Sequence, residues 1–289
     1  MSGEAGFAYI SDKAGDAVVS TSGFSQTDGS ITISASEDLG GGMKLAASHT
    51  MNLLGRTSVS AENSSLSLMG GFGTVTIGAV EAGNGILGLG GAGGVGRGLD
   101  DGTALDGGSN VDLVQYTTPA LIPGLTANVA RADSVLAPGA GRGLLRTTGY
   151  GVNYAAGALA VAFDVTGYVY AAADANTQTD KRTRVSASYD LGVVKVGAGY
   201  QKKAMQLTGG TDNKQTVIGA SMPMGAFTFS LAMSGNQDDG ATKTKGTDFG
   251  VNYALSKRTS LNFSHKSVKA GTAGAKADKF TRLRLKTTF

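Results

Sequence analysis

The residues able to do chemistry in this chain are few, and their spacing favours electrostatics over catalysis. His49 and His265 are the two histidines, and neither has a spaced His, Asp or Glu partner of the kind that holds zinc. There is no cysteine, which removes disulfides and thiolate metal sites. Serine is abundant, yet no G-x-S-x-G elbow comes with a triad. Gly88-Leu89-Gly90-Gly91-Ala92-Gly93 fits G-x-G-x-x-G but opens no helix and no βαβ unit, so a dinucleotide site is not expected. Neither enzyme activity nor a cofactor is expected. Calcium on acids such as Asp100 and Asp101 is the one metal site the composition suggests.

What remains is a pattern of charge. Residues 81–110 are mostly glycine and lack any period, and they hold four acids, Glu81, Asp100, Asp101 and Asp106, with one base, Arg97. Structureless connections of this length inside a compact domain are usually functional or disordered. Alternation precedes the segment at Ser64-Ser65-Leu66-Ser67-Leu68, breaks at Gly70-Gly71-Phe72-Gly73, and resumes at Thr74-Val75-Thr76-Ile77-Gly78. The unit reads as strand–turn–strand, delivering a long loop to the place where the protein works. Elsewhere the bases follow a period of two. Arg282, Arg284 and Lys286 alternate with Leu283 and Leu285. Arg182 and Arg184 oppose Val185 and Ala187, Lys195 opposes Val194 and Val196, and Lys44 joins from an earlier strand.

The elements that must position these charges are strands. No stretch carries apolar residues at helical spacing, whereas alternation of Ser, Thr, Gly, Asn, Lys or Arg with Val, Leu, Ile, Ala, Phe or Tyr recurs throughout. The 46 glycines lack the collagen period. A net charge of +3 on 289 residues is too small to indicate nucleic acid as a partner. No run of apolar residues is long enough for a membrane-spanning helix. Met1-Ser2-Gly3-Glu4 has neither a basic start nor an apolar core of a signal peptide, so the chain is expected to be a mature form.

Short turns and longer polar loops alternate strictly along the chain. The short turns include Asp38-Leu39-Gly40-Gly41-Gly42, Ala155-Ala156-Gly157, Asp190-Leu191-Gly192 and Pro223-Met224-Gly225. Seven short turns, with one strand at each terminus, give about sixteen strands of roughly nine to eleven residues, the rhythm of an outer-membrane barrel. The bilayer explains it. Backbone groups in lipid must all be paired, so the sheet must close. Charges facing lipid at mid-membrane cost about 2–4 kcal/mol each, which turns the alternating bases toward the lumen. The expectation is an all-β transmembrane antiparallel β-barrel over residues 1–289, one domain, with residues 11–28 either a loop or an extra hairpin.

Particular motifs carry a family. Ser36-Glu37-Asp38-Leu39-Gly40-Gly41-Gly42-Met43-Lys44 resembles the first periplasmic turn of Gram-negative general porins of betaproteobacterial type. Gly71-Phe72-Gly73-Thr74-Val75-Thr76-Ile77-Gly78 resembles their second turn, and Gln115-Tyr116-Thr117-Thr118-Pro119 their strand after the third loop. Phe289, after Arg282-Leu283-Arg284-Leu285, resembles the aromatic end read by the outer-membrane assembly machinery.

The resemblance implies a sixteen-stranded homotrimer in the bacterial outer membrane, in contact with its lipid and lipopolysaccharide. It also implies a third loop, here 81–110, folded into the lumen with its acids facing bases on the wall. This chain departs from that pattern. Ser30, Ser34, Glu62, Ala79 and Gln115 stand where relatives often carry bases, so the first half lacks the usual basic cluster and the pore is expected to be less constricted. The functional expectation is passive diffusion of ions and small hydrophilic solutes, mildly favouring anions. Two rivals stay open: a substrate-specific outer-membrane channel, and a non-pore surface adhesin or structural β-protein.

Overall fold

The computed structural model describes residues 1–15, 17, 19–55, 58–82, 85–96, 98–99, 104–106, 109–134, 145–170, 179–205 and 210–289. Alternation becomes sixteen strands: β1 (Ser2–Lys13), β2 (Thr21–Gly40), β3 (Met43–Asn52), β4 (Ser60–Gly70), β5 (Gly73–Ala82), β6 (Ser109–Thr117), β7 (Leu125–Ser134) and β8 (Leu145–Ala156). The second half holds β9 (Leu159–Tyr170), β10 (Thr179–Asp190), β11 (Lys195–Met205), β12 (Asn213–Met224), β13 (Phe227–Asp238), β14 (Thr244–Ala254), β15 (Thr259–Lys269) and β16 (Asp278–Thr288). Each pairs antiparallel with its sequence neighbours, and β1 pairs with β16, so the sheet closes into a barrel with no edge.

The two faces sort by chemistry. Outward stand Phe7, Ile77, Val114, Ile218, Leu231, Phe263 and Leu283, all exposed. Inward stand Asp28, Ser186, Gln201, Gln215, Asp248, Asn262, Ser264 and Lys266, all buried. This inversion of the soluble-protein rule is what a wall between lipid and water requires.

The ambiguous residues 11–28 resolve into strand on both sides: β1 runs to Lys13 and β2 begins at Thr21. The pairing holds Asp12 opposite Thr21 and Ser22 opposite Ser11, with Tyr9 and Phe24 meeting edge to face at 5.2 Å. The β2–β3 turn needs its glycines, because Gly40, Gly41 and Gly42 have φ of +77°, +61° and +78°, where a Cβ is strained. Tyr150 and Tyr200 sit mid-strand on the outward face. One helix appears among the described residues where none is expected, α1 (Gly85–Gly90), a single turn-and-a-half inside the long connection. Its glycine content disfavours helix by roughly 1 kcal/mol per residue, so tertiary packing, not propensity, holds it.

The barrel closes at β1, β2 and β16. The N–H of Gly3 donates to the carbonyl of Phe289 at 2.9 Å, and the N–H of Phe289 donates back to Gly3 at 3.0 Å. One bulge residue, Thr27, interrupts the β1–β2 register, with Gly6 opposite Asp28 and Phe7 opposite Gln26. Asp28 keeps the inward parity of Ser30 and Thr32, while the extra residue switches the parity of the residues before it, so that Gln26 and Phe24 fall on the face of Phe7 and Tyr9.

Candidate functional site

The described part of the long connection lies inside the barrel, flat against one wall. α1 packs on β10, β11 and β12. The hydroxyl of Ser221 on β12 donates to the carbonyl of Ala92 at 2.8 Å, and the N–H of Val95 donates to Ser230 Oγ on β13 at 2.9 Å. Asn262 on β15 donates to the Val95 carbonyl at 2.7 Å, and Gly98 N–H donates to Asp248 Oδ2 on β14 at 3.0 Å. The chain then returns to β11 and β12. Ile86, Leu99, Ala104 and Leu105 bury themselves against Val217, Ala232 and Val268 of the wall, with Phe280 at the margin. An apolar cluster inside a polar lumen costs the segment little to keep and much to expose, since each buried Leu or Ile side chain is worth about 1.5–3 kcal/mol.

Wall glycines make the close seating geometrically allowed. A Cβ on Gly197 would stand 1.9 Å from the Leu89 carbonyl oxygen, one on Gly219 2.7 Å from that of Gly91, and one on Gly250 2.6 Å from the Gly96 nitrogen. All three belong to the inward face, in step with Gln201, Ser221 and Asp248. This track of missing side chains lets backbone approach backbone.

Of the loop charges, Asp106 is held at the far end of this seat. Its Oδ2 lies 2.6 Å from Lys203 Nζ and accepts from Gln201 Nε2 at 2.8 Å, while its own N–H donates to Gln215 Oε1 at 3.3 Å. Burial pushes the Asp106 carboxyl up, but the Lys203 ammonium and the amides of Gln215 and Gln201 outweigh it and hold it below the ordinary carboxylate value. A carboxyl depressed in the folded state stabilises the fold above its unfolded value, about 3.9, and loses that contribution as pH falls through the folded value. Open-channel current is therefore expected to stay quiet from neutral pH down to about pH 4 and to become noisy only below it. Asp106→Asn should be noisy at neutral pH; a quiet Asn variant would show that this anchor is dispensable.

The other loop charges separate. Glu81 falls within β5, exposed on the same outward face as Ile77 and Ala79, with its N–H donating to Asn63 Oδ1 at 2.7 Å. Arg97, Asp100 and Asp101 lie outside the described residues.

The wall bases fall into two groups. Arg184 Nε donates to both oxygens of Asp164 on β9, at 2.8 and 3.0 Å. Beside it Arg182 Nη2 donates to Thr166 Oγ1 at 3.4 Å, and no carboxylate of the described residues comes within ion-pair reach of it. These arginines line a cavity of about 590 Å³ along the part of the lumen that α1 leaves open, with Tyr168, Gln115, Asn128 and Leu89. The second group is at the closure. Arg284 Nη1 donates to both Asp28 oxygens at 2.8 and 3.1 Å, and Lys286 Nζ lies 2.6 Å from Glu4 and 3.1 Å from Asp28. Arg282 stands two residues up the same face, opposite Ile10. Lys195 and Lys44 stand at the starts of β11 and β3, beside short turns, Lys195 opposite Asp190 and Lys44 opposite Asp38.

The sequence reading did not single out Asp28, Asp164, Gln201, Lys203, Gln215 or the glycine track. Alternation reaches Lys203 and Gln201 if continued from Lys195, and Asp164 if read against Phe163 and Val165. Asp28 is reached by alternation read back from Ile31 and Ile33, but nothing in the residues points to its partners on β16.

A family model described as Gram-negative porin matches residues 2–273. No curated protein matches significantly. Among solved structures, the chain is similar to an anion-selective porin from Comamonas acidovorans at 20% identity, covering 100% of this chain and 98% of that one with a TM-score of 0.78. It is similar to outer-membrane-expressed OmpT of Vibrio cholerae at 12% identity, covering 100% and 96%, TM-score 0.75. A mutant of Rh. blastica porin aligns at 14% identity over 100% of both chains, TM-score 0.70. At such identities these likenesses speak for the fold.

Proposed function

The chain belongs to the Gram-negative porin family and is an outer-membrane channel for passive diffusion; from that premise we propose that its open lumen mildly favours anions and that it works as a homotrimer. The observation that carries the selectivity is the pair Arg182 and Arg184 in the open cavity. Asp164 answers Arg184, whereas Arg182 keeps its charge available to a passing solute. A guanidinium in a narrow aqueous path raises the local anion concentration and the rate of anion entry. The similar porin from Comamonas acidovorans is anion-selective, which agrees with this reading. That the described part of the connection, from Gly85 to Asp106, lies against one wall supports a pore that this connection narrows but leaves less constricted than a full basic cluster would.

The test is the zero-current potential of the purified channel in a planar bilayer across a KCl gradient. A chloride-preferring potential is expected, and Arg182→Gln should move it most of the way toward zero. A potassium preference in the unaltered channel would sink the anion reading and hand selectivity to the loop acids.

The trimer reading rests on the outer wall. Asp112, Arg131 and Asp133 stand outward on β6 and β7, beside a groove of about 820 Å³ lined by Ala35, Ala47 and Ile77. Each such charge against lipid tails would cost about 2–4 kcal/mol at mid-membrane, so a second copy is the cover that fits. Phe289 at the barrel closure fits the role of assembly signal, and lipid and lipopolysaccharide are the remaining outer-wall partners.

A further inference from the structure

We infer that the open lumen beside Arg182 and Arg184 holds a binding site for carboxylate monoanions that carry a short hydrocarbon tail; the inference rests on the outer-membrane channel reading. Alternation carries it. On β6 the inward residues run Val111, Leu113, Gln115 and Thr117, apolar first and polar after. On β7, Ala132 and Ala130 give way to Asn128, and on β8 Leu145 gives way to Thr147 and then Asn153. The apolar ends of these strands lie toward the connections 135–144 and 171–178, which are longer than those at 157–158 and 191–194. In outer-membrane barrels the longer connections face the outside. A solute entering from outside therefore meets hydrocarbon before it meets polar groups.

Water fills such a lumen, and its wall is ordinarily polar, so inward Val and Leu need another reason. Seating the loop is not that reason among the described residues. The loop's apolar cluster uses Val217, Ala232 and Val268 of the wall, while Val111, Leu113 and Leu145 stand outside it, each half-buried. These three line the cavity of about 590 Å³, together with Leu89 and Tyr168. Tyr168 pairs with Thr147, and the same row continues through Ala132 to Leu113. Its ring stacks on that of Tyr170, with centroids 6.5 Å apart and planes 15° from parallel. The cavity falls within the range of about 300–1,000 Å³ that small-molecule sites occupy.

The arginines set the head of the ligand. Arg182 lies in the next inward row, with Thr166, Gly149, Ala130 and Gln115, about 7 Å further in at roughly 3.3 Å per residue. Arg184 and Asp164 share the row below it. Two guanidiniums and one carboxylate leave the described lining one positive charge in surplus. That surplus sits on Arg182, which donates to Thr166 and has no carboxylate within ion-pair reach among the described residues. A guanidinium fork matches a planar carboxylate through two parallel hydrogen bonds. One charge, a planar head and a tail reaching about 7 Å back toward Leu113 and Leu145 describe an alkyl or aryl carboxylate. Chloride would use the arginine alone and leave the hydrocarbon wet. A phosphate dianion would bring more charge than the lining has to spare.

The experiment measures block of the KCl current through the full chain in a planar bilayer by acetate, butyrate and hexanoate at neutral pH, with hexanamide as the uncharged match. A methylene leaving water is worth roughly fourfold in affinity when burial is complete. A wall open on one side realises part of that, so the half-blocking concentration should fall about tenfold or more from acetate to hexanoate. Hexanamide should block about tenfold more weakly than hexanoate, having no charge-assisted hydrogen bond to offer. Arg182→Gln should bring hexanoate to the level of hexanamide. Leu113→Ser with Leu145→Ser should make hexanoate block like acetate; Leu145→Ser alone should remove part of the chain-length dependence, and serves where the double variant does not insert. Val152→Thr, exposed on the outward face of β8, should keep the full dependence. Equal block by acetate and hexanoate overturns the proposal. So does a chain-length dependence that survives the leucine changes, which would place the tail in the bilayer rather than in the lumen. Steps in KCl before any carboxylate is added test the channel reading by itself: their absence sinks both, whereas steps with a flat chain-length dependence sink this inference alone.

Discussion

Asp28→Asn is expected to lower the temperature at which the folded barrel opens by roughly 6–12 °C, the equivalent of about 3 kcal/mol for a chain of this size. Asp28 is buried and neutralises two bases at once, Arg284 through both oxygens and Lys286 through one. The contact joins the last strand to the second across a sequence separation of 256 residues. Gly6 supports it from β1, since a Cβ there would fall 2.3 Å from Asp28 Oδ2. Removing one partner of a buried pair leaves the other charge uncompensated, which is the expensive direction. Glu4 still serves Lys286 at 2.6 Å, so the loss falls chiefly on Arg284. Heat-dependent migration of folded and unfolded forms on a detergent gel reads the effect. Lys44→Gln, at an exposed position with no ion pair among the described residues, serves as the control and should stay within about 0.5 kcal/mol. Co-melting of Asp28→Asn with the unaltered chain would mean that backbone pairing of β1 with β16 closes the barrel without ionic help.

Gly197→Ala combined with Gly219→Ala is expected to lower single-channel conductance and raise open-channel noise while leaving the barrel folded. The new methyl groups would meet the carbonyl oxygens of Leu89 and Gly91 at 1.9 and 2.7 Å, distances real Cβ atoms do not tolerate. Overpacking of this kind costs about 1–3 kcal/mol, relieved most easily by moving the loop rather than the hydrogen-bonded wall. The loop has only one direction to go, toward the cavity lined by Arg182, Arg184 and Tyr168. Ala198→Val, on the outward face between the same strands, adds volume without touching the loop and should leave conductance alone. If the double glycine variant conducts like the unaltered channel, the segment is not seated by backbone contact on this wall.

Much of this architecture is legible in the residues because its causes are local. Alternation at Arg282-Leu283-Arg284-Leu285 assigns each side chain to water or lipid wherever strand pairing later falls. The triple glycine at Gly40, Gly41 and Gly42 makes a turn from backbone sterics alone. Strand count follows from turns, and closure follows from the bilayer's refusal of unpaired backbone. Alternation likewise puts Arg182, Arg184, Arg282, Arg284 and Lys286 on the face opposite Val185, Leu283 and Leu285.

What alternation does not carry is the identity of partners across the lumen. Arg284 reads as an inward base, but that its carboxylate is Asp28 depends on the closing of β16 onto β1 and on the register of β1 with β2. Asp106 reads as a loop acid, yet its contacts, Lys203, Gln201 and Gln215, are set by how far the loop slides along the wall. Gly197, Gly219 and Gly250 look like ordinary weak strand residues until a second backbone is laid on them. Period two is a property of one strand and is written in its residues. Register, bulges and loop seating are properties of pairs of segments far apart in the chain, and only the closed barrel decides them.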